Sequence, residues 1–402
     1  MQNERIFDKG AVKVKFLHTA DWHLGAKTNG RDRLNEQKKV LDEIESIATY
    51  ENIDCVIIAG DVFNTSSPSA EAEELFFDSI QKLSNGGDRF VFVLAGNHDD
   101  PTRLSAGLPL ASKHNIALVS SLDKLKESSF NKNGIVKLVE TGRGHIKIKK
   151  NEEIVTIAYL PYPNEVRIKD KVDPEFSYAQ KVEAWAQMGA SAFNDDTFNI
   201  FVSHLFMVGS KTKDSIVKVG DILAVPKNML PKADYTALGH IHTPQDLGDG
   251  VNYSGAITNL TVGQKNLGVT VFETENGEII SKEHIALKNI AKYEKVSASS
   301  IEDAEEKLSD YDDGDIVELE IVQSEPLSAS SLKALRKNFA CISNVSLVKV
   351  SDSGIAVPAK KRKLLSDEEL FKEFYKGARG YEPSEDLVKM FNECKGGSDE
   401  TN

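Results

Sequence analysis

The chain has 402 residues, 40% of them hydrophobic and 28% charged, with a formal net charge of -13 at pH 7. That length exceeds one ordinary core and predicts two or three domains of common globular composition. The acidic balance excludes a protein that coats nucleic acid through a general surplus of Lys and Arg, but not a nuclease whose positive charge sits in bound metals and local basic patches.

Three widely separated cysteines, Cys55, Cys341 and Cys394, lack the paired spacing of a zinc site or disulfide framework and suit a reducing compartment. The opening "MQNERIFDKGAVK" has no apolar signal segment, and no run approaches a membrane span. A cytoplasmic protein without membrane contact is expected.

From residue 12 to about 120, "VKFLHTA" reads as a strand and "RDRLNEQKKVLDEIESIATY" as a helix with an apolar face at Leu34, Val40, Leu41, Ile44 and Ile47. "DCVIIAG" gives a second strand, "SAEAEELFFDSIQKL" a second helix and "RFVFVLAG" a third strand, the pattern of a parallel sheet built by crossovers. "NGIVKLVETGRGHIKIKKNEEIVTIAYL" predicts antiparallel strands, "YAQKVEAWAQMGASAF" a helix, and "FNIFVSHL" and "DYTALGHIH" further strands. "VNYSGAI", "LGVTVFET" and "GEIISKEHIAL" are expected to complete a second sheet. The expected class is α/β, with two sheets in an α/β/β/α sandwich over residues 12–287. Residues 291–350 then predict a smaller βαβαβ unit, its second helix opened by serine caps. Residues 351–365, with Gly, Pro and "KKRK", read as a basic linker, and residues 366–396 as a tail of two short helices.

Five polar clusters each follow a predicted strand: "HTADWHLG" with Asp21 and His23, "AGDVFNT" with Asp61, "AGNHDD" with Asn97 and His98, "VSHLF" with His204, and "GHIH" with His240 and His242. Open α/β sheets bind ligands at the carboxyl ends of their strands, so the five ends should converge on one site. Any one cluster is explained by turn chemistry, since Gly and Asn tolerate positive φ and Asp bonds its own backbone. All five together are not, because five of the nine histidines, His23, His98, His204, His240 and His242, fall at these strand ends. Two aspartates, one asparagine and four imidazoles form a mixed N/O set that suits manganese, iron or zinc better than calcium, and a carboxylate can bridge two cations. His98 is left over as a candidate acid. His18 reads as a buried strand residue supporting the site, and His114, His145 and His284 receive no role.

The order "DWH", "GDVF", "GNHD", "SH", "GHIH" resembles the calcineurin-like metallophosphoesterase superfamily. "FLHTADWHLG", "AGDVFNTSSPS" and "LAGNHD" narrow the resemblance to the SbcD type of DNA double-strand-break repair nuclease, the bacterial relative of the meiotic-recombination-eleven nuclease. It covers residues 14 to about 290 strongly and the remainder by order and length. The resemblance implies two divalent metals, in this family manganese, the first held by Asp21, His23 and His242, the second by Asn97, His204 and His240, with Asp61 bridging. It implies catalysis by His98, with Asp99 orienting its ring, and DNA cleavage that includes 3′-to-5′ exonuclease and endonuclease action in repair, recombination and replication. Where the archaeal and eukaryotic branch has a second histidine, this chain has Asn64, which can donate a hydrogen bond to phosphate but cannot transfer a proton near pH 7.

The resemblance further implies that residues 291–350 cap the nuclease core, against the alternative of a packing domain without DNA contact. It implies a homodimer through helices near the start of the core, to which the helix from Arg31 to Tyr50 is a candidate contributor, and a nucleoid-associated place in the cytoplasm. The tail puts Leu370, Phe371, Phe374 and Tyr375 on one helix face and Leu387, Val388 and Phe391 on another. In the family the matching segment grips the coiled coil of SbcC, an ABC-type ATPase. Two other readings compete: a small-molecule phosphodiesterase or phosphatase of the same superfamily, which has little use for such a tail, and a silent scaffold, against which the intact ligand set counts.

Overall fold

In the computed structural model the described residues are 13–164, 167–168, 172–212, 223–323 and 327–349, with 372, 375, 383–384 and 387–388 beyond them. The chain opens with β1 (Lys13–Thr19), a hairpin of β2 (Lys27–Thr28) and β3 (Arg31–Asp32), α1 (Leu34–Tyr50), β4 (Cys55–Ala59), α2 (Ala70–Leu83) and β5 (Phe90–Leu94). Two short helices, α3 (Pro101–Ala106) and α4 (Leu108–Ala111), precede β6 (Ile116–Val119). There follow β7 (Val136–Gly142), β8 (His145–Lys150), β9 (Glu153–Leu160), α5 (Tyr178–Ala190), β10 (Phe198–His204), β11 (Phe206–Met207) and β12 (Ala224–Val225). The core closes with β13 (Tyr235–Gly239), β14 (Gln245–Asp246), β15 (Val251–Tyr253), β16 (Gly268–Glu275) and β17 (Glu278–Ala286).

These strands form a six-stranded sheet in the order β17-β16-β1-β4-β5-β6 and a seven-stranded sheet in the order β14-β15-β13-β10-β9-β8-β7. β1, β4, β5 and β6 run parallel, as do β9, β10, β13 and β15. Their continuous apolar sequences follow from burial on both faces. In the first sheet Phe16, Cys55, Ile57, Phe90 and Phe92 face the second sheet. The alternate residues Leu17, Val56, Ile58, Val91 and Val93 pack under Val40, Leu41 and Ile44 of α1 and Phe76 and Ile80 of α2. Ser69 caps α2 by accepting from the Ala72 amide, and a Ser177–Gln180 capping box opens α5, whose Val182, Trp185 and Ala186 are buried.

Two expectations need correction. β16 and β17 belong to the first sheet, not the second: β16 pairs antiparallel with β1, from Lys13 opposite Glu275 to His18 opposite Thr270. Alternation identifies a strand and its faces but not its neighbour. The reason lies in β16 itself, where Val269 and Val271 enter the helix-side core and Phe272 the inter-sheet core, so the strand needs a site covered on both sides. The first helix starts at Leu34 rather than Arg31, because Arg31 and Asp32 are spent in the hairpin with Lys27 and Thr28.

A smaller unit follows, with β18 (Tyr293–Ala298), α6 (Ile301–Leu308), β19 (Ile316–Gln323), α7 (Ala329–Asn338) and β20 (Ile342–Lys349) forming a three-stranded parallel sheet with its own core. Ser300 and Ser328 cap its helices. It docks on the β2–β3 hairpin, where Arg31 donates to the carbonyls of Asp315 at 2.7 Å and of Asp313, and Asn29 donates to Ser343 at 3.1 Å. The connecting residues are tied to α1, Glu43 accepting from the amides of Lys288 and Asn289 and Glu36 from that of Ala291. The basic run of 351–365 and Leu370, Phe371, Phe374 and Phe391 of the tail lie outside the described residues. Tyr375 and Leu387 are half-buried and Val388 is buried. Among the described residues no helix is long and apolar enough to cross a membrane.

Candidate metal centre

The five clusters meet where the carboxyl ends of the two sheets' parallel strands face each other. β1 leads into Asp21 and His23, β4 into Asp61, β5 into Asn97 and His98, β10 ends on His204, and β13 leads into His240 and His242. The turns interlock: the Asp21 amide donates to the Gly60 carbonyl and the His23 amide to the Asp61 carbonyl, each at 3.0 Å. Asp21, His23, Asp61 and His240 have φ of 52°, 45°, 49° and 97°. Four non-glycine residues in this disfavoured region, all in one site, are strain held by the surrounding fold, as functional sites commonly show. Gly60 and Gly96 make the close approach possible, since a Cβ on Gly60 would lie 2.3 Å from His204 Nδ1 and one on Gly96 2.2 Å from the Asp61 carboxylate.

Three overlapping donor groups form here, one of them made by His23, Asp61 and His98. Asp21, His23 and His242 bring one ligand atom each within 4.8 Å of one another, as do Asp61, His204 and His240. His23 Nε2 lies 3.2 Å from His242 Nε2, and His204 Nε2 lies 3.1 Å from His240 Nδ1, with Asn97 Oδ1 at 3.0 and 2.9 Å from these last two nitrogens. The Asp61 carboxylate stands 3.6 Å from His23 Nε2 and 3.3 Å from His204 Nε2, between the groups.

The electrostatics suit cations. Burial holds His23 and His240 down to about 3 and His242 down to about 4, so these rings are neutral and their lone pairs available. Burial lifts Asp21 to about 7. Burial also works to raise Asp61, but the charge and hydrogen bond of His204, with His23 and the His98 amide, keep it well below the usual carboxylate range. Burial would lower His204, yet Asp61 outweighs it and lifts the ring to about 9. A cation is the group that these buried carboxylates and neutral imidazoles would both stabilise, and the mixed N/O donor set fits a transition metal.

His98 is exposed, 4.9 Å ring to ring from His23, and its Nδ1 lies 2.8 Å from the Asn64 carbonyl oxygen. Asn64 therefore meets His98 through its backbone. The Asp99 carboxylate, expected to orient that ring, accepts instead from the amides of Val62, Phe63 and Gly96 at 3.2, 2.9 and 2.8 Å. Being fully buried and beside Asp61, it is lifted to about 6. His18 is buried with Nδ1 3.0 Å from the Tyr235 hydroxyl. Sequence reasoning passed over Tyr162 and Arg167. They follow β9, which neighbours β10 in parallel, so the available signal was that "EIVTIAYL" must end beside "FNIFVSH" and deliver its next residues to the same rim. The Tyr162 ring lies 6.1 Å from that of His204 and 5.9 Å from that of His240.

The chain belongs to the calcineurin-like phosphoesterase family, whose model matches residues 14–244. Within that family it groups with the SbcD chains of the nuclease SbcCD. The SbcD chain from Bacillus subtilis (strain 168) is 31% identical over 407 residues, covering 96% of this chain and 99% of the relative. That from Staphylococcus epidermidis (strain ATCC 12228 / FDA PCI 1200) is 25% identical over 374 residues, covering 90% and 93%. Family membership makes the chain a phosphodiester hydrolase that uses two metals.

Proposed function

We propose that this chain is a DNA nuclease with 3′-to-5′ exonuclease and endonuclease action, the metal-bearing subunit of an SbcCD-like complex with an ABC-type ATPase. The observation that carries this reading is the set of overlapping donor groups about Asp61, in a chain similar over nearly its whole length to nuclease subunits. That similarity extends through the smaller unit, which a small-molecule phosphodiesterase would not need. The division into a core (12–287), cap (291–350), basic linker and partner-binding tail goes with the same reading.

Asp21, His23, His242 and Asp61 would hold one cation and Asp61, Asn97, His204 and His240 the other, with manganese as the ion. Bound there, the cations supply Lewis acidity toward a phosphate and acidify water near neutral pH. His98 is the proton-handling residue. With Nδ1–H committed to the Asn64 carbonyl, Nε2 is the ring nitrogen left to serve the substrate and, protonated, would donate to the leaving 3′ oxygen or to a phosphate oxygen. Asp99 fixes the "GDVF" turn and the Gly96 amide in one arrangement, which sets Asp61 and Asn97 relative to each other. The test is an end-labelled linear duplex incubated with manganese or with EDTA. Manganese-dependent degradation is expected. An inert duplex, with and without the ATPase partner and ATP, alongside rapid hydrolysis of a small diester would overturn the nuclease reading.

A homodimer in the cytoplasm, associated with the nucleoid, completes the proposal. α1 offers it little, since Val40, Leu41, Ile44 and Ala48 are buried in their own core. An apolar patch lies on α2 and α4, where Phe77 (39% exposed) and Leu110 (71% exposed) border a groove of about 640 Å³. Sedimentation of the wild type and Leu110→Asp checks it, with a monomeric variant expected.

A further inference from the structure

The loop that carries Asn97 and His98 is gripped from the other sheet. Three consecutive carbonyls, those of Ala95, Gly96 and Asn97, accept from the segment after β9. The Tyr162 amide donates to Ala95 at 3.1 Å, Arg167 Nη1 to Gly96 at 2.6 Å and Arg167 Nη2 to Asn97 at 2.8 Å. Arg167 is itself anchored. Its amide and that of Ile168 both donate to the Asn164 carbonyl, Ile168 is buried in the inter-sheet core, and the guanidinium sits 5.9 Å from the centroid of the Tyr162 ring.

The grip matters because of what the loop holds. Asn97 Oδ1 is a neutral oxygen 3.0 Å from His204 Nε2 and 2.9 Å from His240 Nδ1, and the His98 amide donates to Asp61 Oδ1 at 2.8 Å. A planar guanidinium can bond two neighbouring carbonyls at once, whereas an ammonium is a point charge without that fork. We propose that Arg167 is a positioning residue, which by clamping the Gly96 and Asn97 carbonyls holds Asn97 in ligating position for the cation at His204 and His240. This rests on reading the cluster as a two-metal site. Arg167 reaches the loop from the sheet that supplies His204 and His240, so it couples the two halves of the centre across the sandwich.

The test is manganese titration of the full chain by calorimetry, with electron paramagnetic resonance to distinguish one bound ion from two. Wild type is expected to take up two equivalents. Arg167→Ala should keep one at wild-type affinity and bind the other tenfold to a hundredfold more weakly, the loss typical of a residue behind a ligand. Millimolar guanidinium should restore the second equivalent in Arg167→Ala, ammonium should not, and Arg167→Lys should resemble Arg167→Ala. Two full-affinity equivalents in Arg167→Ala, equal weakening of both ions, or the second equivalent fully restored by Lys would overturn the inference while leaving the two-metal reading intact. A wild type that binds fewer than two ions overturns that reading and the inference with it. Should Arg167→Ala fail to fold, Arg167→Lys decides by the same titration.

Discussion

The Asn64 carbonyl holds the His98 ring through Nδ1 at 2.8 Å, which assigns the job of orienting the imidazole to a backbone oxygen rather than to a carboxylate. A carbonyl fixes the tautomer without placing negative charge beside the ring. Its effect therefore depends on the path of the loop and little on the side chain at position 64.

His98→Asn is accordingly expected to retain two bound manganese ions and to lose about 10²–10⁴-fold in turnover, the range for removing a general acid. Asn64→Ala, which keeps the carbonyl, should lose much less. Cleavage rates and metal content measured on the same preparations check both. A His98→Asn protein that degrades DNA at the wild-type rate removes His98 from the mechanism.

Gly96 gives a steric prediction. A Cβ there would sit 2.2 Å from both the Asp61 amide nitrogen and its carboxylate, against backbone that cannot swing aside. Gly96→Ala should cost about 1–3 kcal/mol by overpacking and weaken metal binding along with it. Urea denaturation in EDTA reads the first effect and manganese titration the second. A variant as stable as wild type would show that the loop yields easily.

Much of this site could be read in the sequence, and the reason is physical. Asp21, His23, Asp61, Asn97, His204, His240 and His242 each lie at or just past the end of an apolar run, and strand direction alone sends such ends to one edge. What could not be read is pairing between strands remote in sequence. β16 and β17 join the first sheet against expectation because alternation is silent on neighbours. Arg167 escaped notice because its contacts cross 70 residues to backbone carbonyls, which leave no trace in residue type. Asp99 departs from expectation for a similar reason: adjacency to His98 suggests contact, but its carboxylate turns inward to three amides.

His18 supplies a pH dependence. Burial holds it down to about 3 from an ordinary 6.5, so between those values the unfolded chain binds a proton that the folded chain does not. Stability from this residue is therefore complete above about pH 6.5 and falls as the solution becomes more acid, by about 1.4 kcal/mol per pH unit within the window. Asp21, Asp99 and His204 titrate in the opposite sense, so the contribution is isolated by difference. Wild type and His18→Gln, unfolded by urea in EDTA from pH 4 to 7, should differ in slope by about one proton. Parallel profiles would mean that the buried ring is charged or hydrated in the fold.

The tail gives the prediction that separates a self-contained enzyme from one part of a larger machine. The relative from Bacillus subtilis aligns over 99% of its own length and 96% of this chain. The tail's sequence predicts two short helices with apolar faces, and short helices cannot hold such a face in water unaided, so it is expected to dock on its own chain or on a partner. The core is already closed by two sheets and their helices, and the smaller unit has its own hydrophobic cluster. Deleting residues 365–402 should therefore leave manganese-dependent cleavage by the core within about twofold, and abolish co-purification with the ATPase partner. Retention of the partner by the truncated chain would place that contact elsewhere. A large fall in the unfolding temperature would show that the tail packs on its own domain, because burying Leu387 and Val388 there is worth roughly 1.5–3 kcal/mol for each side chain.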